Sequence, residues 1–236
     1  MTTHPPTTLS VGVIGLGAMG QGMASSLRRA GHHVSVCDVR FDAAEAFAKE
    51  GGTAHKTPAD LAKQADIIVS VVVNADQTEQ VLFGEHGAAA HMKAGSLFIM
   101  CSTVDPNWSV ALEKRLNDMG LLYLDAPISG GAAKAASGQM TMMTSGSAAA
   151  YAKAGNALES MAANVYKLGD HAGYGSKVKI INQLLAGVHI AAAAEAMALG
   201  LREGVAADAL YEVITNSAGN SWMFENRMAH VLKGDY

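Results

Sequence analysis

The chain has 236 residues, of which 50% are hydrophobic and 16% are charged, and its formal net charge is -4. This composition predicts one large packed domain, or one domain with part of a second, and excludes a disordered chain. Because the sequence has no long run of one charge, it gives no support for a nucleic-acid-binding or anionic-membrane surface.

The first residues, MTTHPPTTLS, are polar and lack the apolar core of a signal peptide, so we expect a frayed leader. Cys37 and Cys101 are far apart and lie in apolar runs. This spacing predicts two buried, reduced thiols and a cytoplasmic protein. The nine histidines include no HExxH pattern and no convincing metal-ligand spacing, so no metal site is predicted.

Up to about residue 169, short apolar runs alternate with helical patterns, which predicts a parallel α/β sheet. The first strand ends in the glycines of LSVGVIGLGAMG. The other predicted strands are 33–39, 66–73, 96–103, 121–127, 139–145 and 164–169. The predicted helices between them are 21–30, 43–49, 58–64, 105–119 and 147–162.

The pattern changes after Gly175, where strand signals end and three helices are predicted at 177–203, 207–216 and 221–232. The first of these helices is long and apolar, but Asn182, Gln183 and Glu195 favour a buried helix of a soluble protein over a membrane span. We therefore predict a Rossmann-type, doubly wound domain over 9–173. An interdomain helix and the start of an all-α domain follow over 174–236.

A glycine-rich turn follows the first strand and opens the first helix. Its six residues fit the pattern GxGxxG and are Gly15, Leu16, Gly17, Ala18, Met19 and Gly20. In this strand–turn–helix context the pattern predicts dinucleotide binding, because the glycines permit a tight turn and close approach of a pyrophosphate to the helix N-terminus.

Asp38 lies at the end of the second predicted strand, 18 residues after Gly20, where an acid accepts hydrogen bonds from the adenosine ribose. A carboxylate there repels a 2′-phosphate, which favours NAD over NADP, although Arg40 could partly offset the repulsion. The alternative is that Asp38 only caps the next loop.

A second candidate loop, Asp125-Ala-Pro-Ile-Ser-Gly-Gly131, comes at the carboxyl end of a predicted strand, the edge where α/β sheets bind ligands. Ser129 followed by Gly130 and Gly131 exposes a hydroxyl and backbone N–H groups that can hold a carboxylate. The alternative is a plain turn.

Two lysines in GYGSKVKIINQ are candidates for general acid–base chemistry. If this stretch is helical, Lys179 shares a face with Asn182 and Gln183, whereas Lys177 points about 200° away. We therefore predict that Lys179 is the base and that Lys177 is solvated; the alternative is that Lys179 is also a surface lysine.

Four motifs, GLGAMGQGMA, CSTVDP, DAPISGG and GYGSKVKIINQ, occur in the order and spacing of the β-hydroxyacid dehydrogenase family, which the chain resembles from about Val11 to Tyr236. The resemblance implies an NAD-dependent dehydrogenase with Lys179 as the catalytic residue. It implies substrate contacts at Ser129, Gly130 and Gly131, and the helical face shared with Lys179 predicts further substrate contacts at Asn182 and Gln183. The resemblance also implies cofactor contacts at Gly15, Gly17, Gly20, Ser102 and Thr103. We further predict cofactor contacts at Leu16, Ala18, Met19, Asp38, Val39, Arg40, Val73 and Asn74.

The stretches following Lys179 resemble a branch of the family that oxidises a four-carbon sugar acid with NAD. Oxidation of 3-hydroxyisobutyrate and reduction of tartronate semialdehyde stay open, as does a non-catalytic dinucleotide-binding module. Members of the family continue past the last residue of this chain, so we expect a shortened chain. Apolar surface on the long helix predicts a homodimer or homotetramer.

Overall fold

The structure, a computed structural model, describes residues 8–235. Residues 1–7 of the predicted leader lie outside the described residues. The chain divides into two compact units, one up to Lys179 and one from Ile180. This division falls a few residues after the boundary predicted at 173/174, and the assignment of domains to the two stretches stays a prediction.

A six-stranded, fully parallel sheet forms the centre of the first unit, in the order β3-β2-β1-β4-β5-β6. Strand order reverses between β1 and β4, and such a switch point opens a ligand crevice at the carboxyl ends of the strands. The doubly wound fold is therefore confirmed. The strands are β1 (Ser10–Ile14), β2 (His33–Cys37), β3 (Thr53–His55), β4 (Ile67–Ser70), β5 (Leu97–Met100) and β6 (Leu122–Asp125).

Both faces of this sheet are buried because successive strand residues alternate between two apolar cores. Val69 and Ile99 belong to one core, whereas Ile68 and Phe98 belong to the other. The helices of the first core include α1 (Gly20–Arg29) and α2 (Phe41–Lys49). Those of the second are α3 (Pro58–Ala62), α4 (Ala75–Phe83) and α5 (Pro106–Asp118).

The predicted strands at 139–145 and 164–169 do not join the large sheet, which corrects the expectation of a single parallel sheet. They form a second, three-stranded sheet of β7 (Ile128–Ser129), β8 (Met140–Thr144) and β9 (Ala162–Lys167), with β7 antiparallel to β8. The chain leaves the first sheet between β6 and β7, at Ala126 and Pro127, and it turns out of β7 at Gly130 and Gly131, which both have positive φ. The helices of this region are α6 (Gly131–Ser137), α7 (Ala148–Ala154) and α8 (Ala157–Met161).

Helix α9 (Tyr174–Arg202) begins in the first unit and ends in the second, where α10 (Ala207–Thr215) and α11 (Trp222–Lys233) follow. Among residues 8–235, α9 is the one helix that passes the test of length and apolar composition for crossing a membrane. The prediction that it is buried is wrong for most of its length. The small core of the second unit covers Ala193 and Met197, whereas residues such as Leu184 are exposed. A helix that is apolar on all sides has more surface to bury than α10 and α11 can contact.

Candidate active site

The glycine loop between β1 and α1 has the geometry of a dinucleotide-binding turn. Gly15 has a φ of +95°, and a Cβ there would lie 2.5 Å from the carbonyl oxygen of Val71. A Cβ on Gly20 would collide with the carbonyl oxygen of Gly15, so this position must also be glycine. A Cβ on Gly17 would meet no atom within 4 Å, which means that Gly17 borders open space where a ligand can approach the backbone.

A cleft of about 720 Å³ opens beside this loop at the switch point between β1 and β4. Its volume lies in the range of small-molecule and cofactor sites. A bare backbone at Gly17 and a mostly apolar cleft fit a dinucleotide. The residues predicted from sequence that line the cleft are Gly15, Gly17, Asp38, Val39, Arg40 and Val73.

Asp38 fixes the shape of the glycine loop. Its Oδ2 accepts a hydrogen bond from the Leu16 backbone N–H at 2.6 Å, and its Oδ1 accepts one from the Arg40 N–H at 2.8 Å. The Arg40 guanidinium lies 3.9 Å from the same carboxylate and is mostly exposed. Asp38 therefore caps its own turn and ties β2 to the glycine loop, and its contact with the adenosine ribose stays a prediction.

The remaining predicted cofactor residues divide into exposed and structural groups. Val39, Val73 and Thr103 are exposed, as are Gly17 and Ala18. Leu16 is buried in the first core, and Met19 is the partly buried residue before α1.

Ser102 and Asn74 use their side chains within the protein. The buried Ser102 hydroxyl donates to the Val72 carbonyl at 2.8 Å, and the Asn74 side chain caps α4 by accepting from the Gln77 N–H. Both therefore shape the loops after β4 and β5. Gln77 belongs to no recognisable motif in the sequence, yet its side-chain oxygen accepts from the Val73 N–H at 2.9 Å.

Lys179 is buried in the first unit, with 7% of its surface exposed. Its Nζ donates a hydrogen bond to the Ile128 carbonyl at 2.9 Å, and burial lowers the pKa of the amine below its ordinary value. Lys177 is exposed, with its Nζ 4.8 Å from the centre of the Tyr174 ring. The structure therefore brings Lys179, and not Lys177, to the loop that contains Ser129.

The predicted carboxylate cradle lies directly after Ile128. Ser129 ends β7 and is half-buried, Gly130 has a φ of +141° and Gly131 a φ of +77°. These left-handed backbone angles favour glycine and turn successive N–H groups out of the strand pairing. Asn182 and Gln183 lie further along α9, in the second unit, and are exposed; their contacts with substrate stay a prediction.

A buried carboxylate that the sequence analysis did not single out, Asp125, holds the start of α9. It has no exposed surface, and it accepts hydrogen bonds from the Gly173 N–H, the Ser176 N–H and the Ser176 hydroxyl at 2.7–2.9 Å. Burial raises its pKa. An acid at the end of a buried strand, followed by Ala-Pro, is the signal in the sequence that could have identified it.

Comparison with known proteins agrees with this geometry. Residues 10–169 match the NAD binding domain of 6-phosphogluconate dehydrogenase, and residues 173–236 match the NAD-binding region of NADP-dependent 3-hydroxyisobutyrate dehydrogenase.

Among residues 8–235 no group of three His, Cys, Asp or Glu side chains could hold a metal ion.

Several curated relatives and solved structures are similar over most of this chain. It is 63% identical to the L-threonate dehydrogenase of Cupriavidus necator, over 96% of this chain and 76% of that protein. It is 37% identical to the mitochondrial 3-hydroxyisobutyrate dehydrogenase of Mus musculus, over 90% of this chain and 63% of that protein. The crystal structure of 3-hydroxyisobutyrate dehydrogenase from Salmonella typhimurium has a TM-score of 0.92 and 49% identity, covering 97% of this chain and 80% of that one.

The chain thus spans about three quarters of the length of the first relative. A dinucleotide cleft at the switch point, a buried lysine beside a Ser-Gly-Gly loop and these similarities agree with one another. The chain belongs to the β-hydroxyacid dehydrogenase family, whose members include 3-hydroxyisobutyrate dehydrogenase, and it is an NAD-dependent hydroxyacid oxidoreductase.

Proposed function

We propose that the chain oxidises L-threonate to its 2-oxo acid with NAD, and that Lys179 is the general base. The observation that carries the proposal is the buried Lys179 amine, 2.9 Å from the Ile128 carbonyl and next to Ser129, Gly130 and Gly131. The substrate is supported by relatives named L-threonate dehydrogenase, which are 49–63% identical to this chain.

In this mechanism the Ser129 hydroxyl and the N–H groups of Gly130 and Gly131 hold the substrate carboxylate. The residues of the cleft would hold NAD, which would supply the acceptor for the hydride of the carbon that is oxidised. Neutral Lys179 accepts the proton of the hydroxyl group, and burial favours this neutral form because it penalises the ammonium. Asn182 and Gln183, which follow Lys179 in α9, orient the hydroxyl region of the acid.

The protein residues for NAD are those of the cleft. The glycine loop would hold the pyrophosphate at the N-terminus of α1, and the open space at Gly17 would let it approach the backbone. Asp38 lies at the edge of the cleft, where its carboxylate meets the adenosine ribose and disfavours the 2′-phosphate of NADP.

The test is NADH formation by the wild-type chain and two variants, with L-threonate beside D-threonate, D-erythronate, 3-hydroxyisobutyrate and D-glycerate. Lys179→Ala should lower kcat by about 10²–10⁴-fold, the usual contribution of a general base, with little change in the Kd for NAD. Lys177→Ala is the matched control and should keep wild-type kcat, because Lys177 is exposed. Equal kcat values for Lys179→Ala and wild type would refute the assignment.

A second candidate is oxidation of 3-hydroxyisobutyrate or reduction of tartronate semialdehyde. The first is favoured by the Salmonella typhimurium structure, which carries the name 3-hydroxyisobutyrate dehydrogenase at 49% identity. The same panel, extended with tartronate semialdehyde and NADH, decides between these substrates. NAD binding without turnover of any acid would instead support a non-catalytic dinucleotide-binding module.

We further propose a homodimer or homotetramer that works in the cytoplasm. Exposed apolar side chains along α9, including Ile181, Leu184 and Leu185, support association, because soluble proteins rarely leave such surface in water. The buried, unpaired Cys37 and Cys101 fit a reducing compartment. Light scattering at micromolar concentration tests the association, and a monomeric mass would refute it.

A further inference from the structure

The start of α9 is fixed to the first unit through the side chain of Asp125, at the carboxyl end of β6. The Asp125 Oδ2 accepts from the Gly173 N–H and the Ser176 N–H, both at 2.9 Å, while its Oδ1 accepts from the Ser176 hydroxyl at 2.7 Å. The first N–H groups of a helix have no partner within the helix, and here a carboxylate from a neighbouring strand supplies one.

Two further contacts complete this attachment. The Ser145 hydroxyl donates to Asp125 at 3.3 Å and accepts from the Gly175 N–H at 3.0 Å. Gly173 has a φ of +102°, and a Cβ on Gly175 would collide with the Met143 carbonyl. Both glycines of GYGSKVK are therefore required for the first turn of α9 to lie against Asp125.

Lys179 lies on the same side of α9 as this attachment. Ser176 and Lys179 are three residues apart, which places them on one helical face about one turn apart. Asp125 and Ile128 are also three residues apart, and the Ile128 carbonyl accepts from the Lys179 amine. The segment from Asp125 to Ile128 thus contacts α9 at two points, at the helix start and at the base.

We propose that Asp125 is a positioning residue for catalysis: it sets the placement of the first turns of α9, up to Lys179, and thereby holds the Lys179 amine beside Ser129. This inference rests on the proposed role of Lys179 as the base. Asp125 does not touch the reacting atoms in this account. Its contribution is geometric, and a displacement of about 1 Å in a catalytic group can lower the rate by about 10²-fold.

The groups around Asp125 allow this role to be tested by pH. Cys101 and Tyr123 are both buried next to the carboxylate, and their pKa values are raised, that of Cys101 to about 12. Glu113 accepts the Ala172 N–H at 3.0 Å, just before α9. The pKa of Tyr151, which also interacts with the Asp125 charge, is raised by burial. Since the thiol and both phenols stay neutral at neutral and mildly alkaline pH, we expect a change in the pH profile of kcat/KM there to follow Lys179 and not these groups.

The experiment compares Asp125→Ala, Asp125→Asn and Ser176→Ala in the full chain, with Ser109→Ala as the control. Ser109 is a fully buried serine of α5 whose hydroxyl bonds to the Tyr123 hydroxyl. Three quantities are measured: kcat and KM with the acid that wild type oxidises fastest, the pH profile of kcat/KM, and the rate at which acetic anhydride labels the Lys179 amine.

Asp125→Ala should lower kcat about 100-fold and leave the Kd for NAD within a few-fold of wild type. It should also speed acetylation of Lys179 and move the rise of kcat/KM towards the ordinary lysine pKa of about 10.4. Asp125→Asn should recover most of the activity, because an amide oxygen can still accept both N–H groups while its NH₂ donates to Ser176. Ser176→Ala should show the same changes at smaller size, and Ser109→Ala none of them.

Three results would overturn the inference. Wild-type kcat and wild-type labelling in folded Asp125→Ala would show that the carboxylate does not place the lysine; if that variant does not fold, the same result in Ser176→Ala decides. Equal losses in Asp125→Asn and Asp125→Ala would show that charge, and not geometry, matters. Full activity of Lys179→Ala would remove the proposed function and this inference together, whereas an inactive Lys179→Ala beside an active Asp125→Ala would remove the inference alone.

Discussion

Replacement of Gly17 by alanine should separate cofactor binding from folding. A Cβ at Gly17 meets no atom within 4 Å, and the residue is outside the left-handed region of φ. The substitution should therefore leave folding intact and even stabilise the chain by about 0.4–1 kcal/mol, since alanine has less backbone freedom to lose. For a chain of this size that amounts to a rise in Tm of about 1–4 °C.

The same methyl group occupies the space through which a pyrophosphate approaches the glycine loop. If one charge-assisted hydrogen bond to the backbone is lost, the cost is about 1.5–3 kcal/mol. This corresponds to a Kd for NAD that is about 10- to 150-fold higher. Isothermal titration with NAD and a thermal melt without it measure the two effects separately.

Gly20→Ala is the contrasting variant in the same loop. Its Cβ would collide with the Gly15 carbonyl, so we expect a loss of about 1–3 kcal/mol in the free energy of unfolding, with weaker NAD binding as a consequence. Gly17→Ala with wild-type affinity for NAD, or with a stability loss as large as that of Gly20→Ala, would refute the reasoning.

Three further predictions concern single residues. Asp38→Asn should raise KM for NAD about tenfold, because one amide oxygen cannot accept from the backbone N–H groups of both Leu16 and Arg40. It should also reduce the preference for NAD over NADP. Unchanged KM values for both cofactors would contradict this prediction. kcat/KM for oxidation should rise with pH through the pKa of Lys179, because only the neutral amine accepts a proton. Since burial lowers this pKa, the rise should occur below the ordinary pKa of lysine. A kcat/KM that falls with pH over this range would contradict the prediction. Phe98→Ala should lower the free energy of unfolding in urea by about 3–5 kcal/mol, since Phe98 is fully buried, and a loss below 1 kcal/mol would show that the second core collapses around the gap.

Most of the fold follows from local patterns in the sequence, and the differences occur where the local signal is short or ambiguous. The strand predicted at 66–73 ends at Ser70, because the apolar residues after it form the wall of the cleft. Helix α4 was missed, since its first turn is polar and follows that apolar run. Strand β3 has only three residues, too few for a period of two to be recognised. The helix predicted at 147–162 breaks at Gly155, which has a φ of +53°.

The site was predictable where it depends on helical spacing and unpredictable where it depends on contacts between distant residues. Lys179 could be chosen over Lys177 because two positions in a helix differ by about 200° in direction. The attachment through Asp125 joins residues 20 to 51 positions apart, and no periodicity in the sequence reports such contacts. The separation of the two sheets is of the same kind, because it depends on how the chain turns after β6.

Asp38 and Asp125 lie at the carboxyl edge of the large sheet, and each fixes a different turn of the candidate site by accepting a backbone N–H. Asp38, after β2, accepts the Leu16 N–H of the turn that precedes α1; Asp125, at the end of β6, accepts the Ser176 N–H in the first turn of α9.

In both cases a glycine with positive φ, Gly15 or Gly173, lies in or next to the turn that the carboxylate holds. One of these helices follows the glycine loop and the other carries Lys179, so in the proposed mechanism the cofactor site and the base are each placed by a carboxylate that acts on backbone N–H groups. It follows that asparagine, which keeps an acceptor, should be tolerated better than alanine at both positions, whereas a role based on charge would make asparagine and alanine equally damaging.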